Sequence, residues 1–169
     1  MTQYSTASQI TDNATAPSRV LQIQSQPDEP APELKRLEMF IGKWKAEGTS
    51  MPEFGRMITE DSYEWFPGGF FLINNGHLQI DDGAPAKHMW IFGYDEASNA
   101  YSIHAFDSGG NFRVYQASVH DCTWTFTGAW ERATIVFGDD GNTFRARWDI
   151  SKDGASWDPL CDVVAKRIT

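Results

Sequence analysis

After Gly42 the chain never runs far without a turn signal, and the segments between signals mostly alternate apolar and polar residues. A period of two is the signature of half-buried strands, and short strands joined by tight turns can pair only antiparallel. A parallel sheet would need crossovers of a dozen residues or more, usually helical, and the sequence holds no room for them. The expected strands are 43–50, 57–66, 70–80, 86–94, 100–107, 111–120, 122–129, 131–138, 142–151 and 156–167. Their turns include Pro67-Gly68-Gly69, Asp81-Asp82-Gly83, Ser108-Gly109-Gly110, Asp140-Gly141 and Lys152-Asp153-Gly154, and Pro52 and Gly55 join the first two strands. Ahead of them Leu34, Leu37, Met39, Phe40 and Ile41 fall on one helical face behind Pro32, which predicts a short helix over 32–41 ending at Gly42. The pattern reads as an all-β, up-and-down antiparallel barrel of about ten strands with a short N-terminal capping helix.

Residues 1–30 are rich in Ser, Thr, Gln, Pro and Ala and poor in aromatics, so they bury too little apolar surface to offset their ordering entropy. They read as a flexible tail, with the barrel domain spanning 31–169. The 7 tryptophans, 11 phenylalanines and 5 tyrosines fall nearly all after position 40, and a barrel so rich in rings offers an interior for a small hydrophobic ligand. A net charge of −9 with scattered basic residues argues against nucleic acid and anionic membranes, both of which require basic patches. No apolar run approaches a membrane span, and no charged start followed by an apolar run marks a secretory signal. The expected location is cytoplasmic, where Cys122 and Cys161 would stay reduced. A homodimer is an open alternative.

Two hairpins can be threaded by register. An Asp140-Gly141 turn pairs Phe137 with Phe144, Ile135 with Ala146 and Ala133 with Trp148, one wholly apolar face. Arg132, Thr134, Arg145, Arg147 and Asp149 then face water, because a one-residue slip would bury the arginines. Over 86–118, a Ser108-Gly109-Gly110 loop sets His104 opposite Val114 and Phe106 opposite Phe112. If Gly93 meets Tyr101, one face collects His88, Trp90, Phe92, His104, Phe106, Phe112, Val114 and Gln116. The other collects Met89, Ile91, Tyr101, Ile103, Arg113 and Tyr115. The first, with more rings and two imidazoles, is the preferred interior.

The run Phe40-Ile41-Gly42-Lys43-Trp44 resembles the opening strand of lipocalin and calycin barrels. In those barrels a basic residue near the chain's end packs across the tryptophan, a place for Lys166 or Arg167. Tyr63 to Phe70, Gly93-Tyr94-Asp95, Phe106 to Gly110, Asp153-Gly154 with Trp157, and Arg167 resemble more specifically a bacterial lipocalin-like family of uncharacterised function. The resemblance covers about residues 33–168. It implies the barrel and no general activity. Nitrobindin-like barrels are a more distant likeness and ligate haem through a histidine close to the C-terminus. Here the last histidine is His120, so no haem is expected.

For chemistry, His88 and His104 are the candidate acid–base groups, since imidazole shuttles protons near neutral pH. Trp90, Phe92, Phe106, Phe112 and Phe144 are the candidate cavity lining, with Asn74 or Gln116 as a polar handle. Asn is depleted in strands, so Asn74 or Asn75 either projects inward to a partner or marks a bulge before Gly76. Arg113 and Tyr115 form an alternative anion or carbonyl site, on the face that would line the interior if His104 pointed to solvent. The four histidines show no tight ligand spacing, so neither metal nor cofactor is expected. Two functions fit. One is a barrel binding a small hydrophobic or aromatic molecule. The other is a cofactor-independent cyclase, isomerase or lyase that uses histidine in the same cavity.

Overall fold

The computed structural model describes residues 28–50 and 55–168. The expected tail through residue 27 and the junction at Pro52 lie outside the described residues. The strands are β1 (Gly42–Ser50), β2 (Arg56–Trp65), β3 (Leu72–Ile80), β4 (Ala86–Asp95) and β5 (Ala100–Asp107), followed by β6 (Phe112–His120), β7 (Thr123–Gly128), β8 (Glu131–Phe137), β9 (Thr143–Ile150) and β10 (Asp158–Arg167). Each pairs antiparallel with its sequence neighbour, and β1 pairs with both β2 and β10, so the meander closes into a ten-stranded barrel.

The opening helix, Pro32–Phe40, is a 3₁₀ helix. Its apolar row explains why. Leu34, Leu37 and Phe40 are the buried members, spaced every third residue, and a helix of three residues per turn sets such a row on one line. Met39 and Ile41 are only partly buried beside it. The barrel holds the helix through Trp44 Nε1, which donates to Phe40 O (2.6 Å), and Tyr101 Oη, which donates to Glu33 O (2.7 Å). Trp124 Nε1 donates to Met39 Sδ at 2.8 Å.

The helix plugs the end of the barrel where β1 begins and β10 finishes. Phe40 meets Trp124 and Phe137 edge-on, and Trp44 packs on Phe144 with centroids 4.8 Å apart. The Arg167 guanidinium lies 4.2 Å from the Trp44 ring centre. It also donates to the carbonyls of Ile41, Met39 and Gly141. Of the two basic residues offered by the sequence, Arg167 is therefore the one that crosses the tryptophan.

Register agrees with expectation in two hairpins and departs from it in a third. Ala133 faces Trp148, Ile135 faces Ala146 and Phe137 faces Phe144, as expected, although the connection is a four-residue loop over 139–142, closed by Gly141 N–H to Gly138 O, in place of a two-residue turn. His104 also faces Val114, and Phe106 faces Phe112. Between β4 and β5, however, Gly93 pairs with Ser102 and Tyr94 with Tyr101. The turn runs from Asp95 to Ala100 and takes Asn99 into the left-handed region (φ 50). One residue of slip turns every side chain of β5 and β6 to the opposite face.

Candidate functional site

A cavity of about 320 Å³ occupies the barrel half away from the helix. Its floor is aromatic, built on Phe40, Tyr63, Phe92, Phe126 and Phe144. Higher up, Trp90 stands edge-on to Trp148 (5.7 Å, 90°) and lies parallel to Tyr115 (5.9 Å, 20°). Two polar groups complete the lining.

The first group joins β2, β3 and β4. His88 Nε2 lies 2.7 Å from Asp61 Oδ1, the same oxygen that accepts from Asn74 Nδ2 at 3.1 Å. Thr59 Oγ1 donates to Asp61 Oδ2 at 2.8 Å. Asp61 and His88 are not on neighbouring strands; both pair with Gly76, in the strand between them. A Cβ at Gly76 would stand 2.3 Å from Asp61 Oδ1 and 2.6 Å from His88 Nε2, so only glycine leaves room for the two to meet.

The second group repeats the device across β6, β7 and β8. Tyr115 pairs with Gly128, and a Cβ there would stand 2.8 Å from the Tyr115 ring. Over that gap Tyr115 Oη donates to Glu131 Oε2 at 2.5 Å. Arg113 Nε donates to Glu131 Oε1 and Arg113 Nη1 to Asp107 Oδ2, both at 3.1 Å. Burial, then the bond and the charge of Glu131, push the Tyr115 phenol far above its ordinary range. The Asn111 amide, with backbone N–H groups and Arg113, holds Asp107 down to about 2. Burial tends to lower the Arg113 pKa, but Glu131 and Asp107 outweigh it and raise it. Cys161, also in the lining, is pushed up to about 11 by burial and nearby carboxylates.

Several expected site residues stand elsewhere. His104, Phe112, Val114 and Gln116 are exposed on the outer wall, as the slip at the β4–β5 turn dictates. Phe106 shares that outward phase, is 38% exposed and reaches only the rim of the cavity. In their place Ile103, Ala105, Arg113 and Tyr115 point inward. His88, Trp90, Phe92, Asn74 and Phe144 do line the cavity. Of the two asparagines in β3, Asn74 is the inward one, 2% exposed, and Asn75 faces out. The ladder through Asn74, Asn75 and Gly76 is continuous, without the alternative bulge.

Asp61, Thr59 and Glu131 escaped sequence reasoning, whereas Trp148 stands on the apolar face that the β8–β9 hairpin predicted. Asp61 carried a signal nonetheless. It sits on the phase of Met57, Tyr63 and Trp65, while Glu60 and Glu64 occupy the other phase of the same strand.

Both thiols are free, Cys122 exposed and Cys161 half-buried. The side chain of His120 is 94% exposed, outside the cavity, and does not fit the haem-ligating role of the distant barrel likeness. Among the described residues, no three His, Cys, Asp or Glu side chains group to hold a metal. No helix among them is long and apolar enough to cross a membrane.

A family model described as "Protein of unknown function (DUF1579)" matches residues 29–156. Among solved structures, the chain is similar to Rv2717c from M. tuberculosis, at 14% identity and a TM-score of 0.59. That match covers 83% of this chain and 100% of the other. At that identity the likeness is one of fold. No curated protein matches the sequence.

Proposed function

The chain belongs to that family of proteins of unknown function, DUF1579, and from this premise we propose that it holds one small, largely aromatic or hydrophobic molecule inside its barrel. The observation that carries the reading is the cavity of about 320 Å³, aromatic at its floor and polar in two confined places. That size and that balance suit a small-molecule site, where apolar walls supply affinity and a few fixed polar groups supply orientation. Trp90, Trp148 and Tyr115 form the walls over a floor that includes Phe92 and Phe144, and Asn74 is the polar handle. Native mass spectrometry of the protein purified from its own host tests this directly. A small molecule retained in stoichiometric amount is the expected result. A bare chain that also leaves apolar fluorescent probes unbound overturns the proposal.

The Asp61–His88 pair favours a second reading, a cofactor-independent enzyme of cyclase, isomerase or lyase type. A carboxylate 2.7 Å from one ring nitrogen fixes the imidazole's orientation, as a general base requires. His88, not the outward His104, then carries the acid–base role. Under this reading His88→Ala lowers turnover by about 10²–10⁴-fold and leaves ligand affinity largely intact. Equal losses of binding and turnover would favour the binding reading.

A further inference from the structure

We propose that the ligand enters this cavity with a hydrogen-bond-donating head group, a hydroxyl or an amine, and that the cavity discriminates against carboxylates. The inference rests on the binding reading above and adds the chemistry of the ligand's polar end.

The first observation is Asn74. Its side chain is almost wholly buried, and its Nδ2 donates to Asp61 Oδ1 and, at 3.5 Å, to Ser62 O. Its Oδ1 accepts no hydrogen bond among the described residues, although Asn74 lines the cavity. Ser50 Oγ is the fully enclosed side-chain polar atom left without a partner among the described residues, so Asn74 Oδ1 is not sealed off, and a ligand N–H or O–H in the cavity can supply its donor.

The second observation is charge. The carboxylates of Asp61, Asp107 and Glu131 line the cavity, and Arg113 is the cation placed among them. The guanidinium is already committed, with Glu131 on one side and Asp107 on the other. Lys87 reaches the lining from the outward phase of β4 and is exposed. His88 already faces the Asp61 carboxylate. An incoming carboxylate would thus meet three like charges and one neutralised arginine, and would bring another acceptor to an amide oxygen that needs a donor. A hydroxyl or amine meets acceptors throughout.

The test keeps one apolar body and changes only its head group. The full chain is titrated with 2-naphthylmethanol, 2-naphthylmethylamine and 2-naphthoate, followed by quenching of tryptophan emission and by calorimetry. The alcohol and the amine should each bind about tenfold or more tightly than the acid, the scale of one buried hydrogen bond gained against one acceptor opposed. In Glu131→Gln the guanidinium loses a charged partner, so the preference against naphthoate should shrink by severalfold. Thermal unfolding would establish that this variant is folded, and the three wild-type affinities decide the matter without it. Naphthoate binding as tightly as the alcohol, or more tightly, overturns the donor rule and leaves the binding reading standing. If none of the three binds, both fall.

Discussion

The two ends of this barrel are built from similar residues and put to different use. At the closed end, Phe40, Trp44, Trp124, Phe137 and Phe144 pack ring against ring, and Arg167 seals them with one cation over an indole and three backbone carbonyls. At the cavity, Trp90, Trp148 and Tyr115 also touch, but space remains beside them and carboxylates intrude. Aromatic content alone therefore does not mark a site. What separates the two ends is whether polar side chains have been admitted to the inward phase of the strands, and whether glycines make room for them.

The contrast is broken most severely by Trp44→Ala. Deleting a wholly buried indole from the plugged end should cost about 3–5 kcal/mol in urea denaturation, with naphthylmethanol affinity unchanged in the folded fraction. A loss below about 1 kcal/mol would mean that the plug is not the structural anchor. Next comes Gly128→Ala, whose Cβ would press on the Tyr115 ring. Overpacking there should cost about 1–3 kcal/mol and, unlike the first change, should weaken the probe as well. Stability lost without any change in affinity would separate Tyr115 from the site.

A smaller effect is expected from Tyr115→Phe, about 1–2 kcal/mol, because Glu131 loses one donor. Its pH dependence has a definite sign. The phenol's folded pKa is raised, so its contribution is complete below the unfolded value near 10 and is lost as pH rises above it. Wild type should lose stability more steeply than Tyr115→Phe in alkaline urea titrations. Parallel curves would contradict the burial of this hydroxyl. The gentlest comparison uses the thiols. Cys122, exposed in the β6–β7 turn, should react with a disulfide reagent at pH 8 well before Cys161, whose thiolate is suppressed. A bound probe should slow Cys161 further and leave Cys122 unaffected.

Much of the barrel was legible because each tight turn punctuates an alternating run, and local signals suffice for a meander. The β8–β9 partners were legible from arginines that could not be buried, although the connection is a four-residue loop over 139–142, closed by Gly141 N–H to Gly138 O, that shares its register with the expected two-residue Asp140-Gly141 turn. The β4–β5 turn held no such constraint. The loop over residues 96–99, with Asn99 in the left-handed region, sets Asp95 opposite Ala100, one residue away from the expected pairing. Everything downstream inverted, so Phe112 and His104 went out and Arg113 and Tyr115 came in. The polar pairs were harder still, because Asp61 with His88, and Tyr115 with Glu131, span two strands across a glycine. Pattern along a strand says which residues face inward. It does not say which of them meet over a missing side chain.

The pairing of β1 with β10 has a consequence for how the molecule is made. Trp44 lies opposite Arg167 and Ser50 opposite Cys161, so the seam joins residues from nearly opposite ends of the barrel sequence. During synthesis nine strands can line up by local hairpins, but the ribosome must release β10 before β1 finds its second neighbour. Until then two strand edges stand open to other chains, and the indole that organises the plug waits for its arginine. The final seam is thus the strand pairing of longest range, and closing it removes the nascent sheet's open edges.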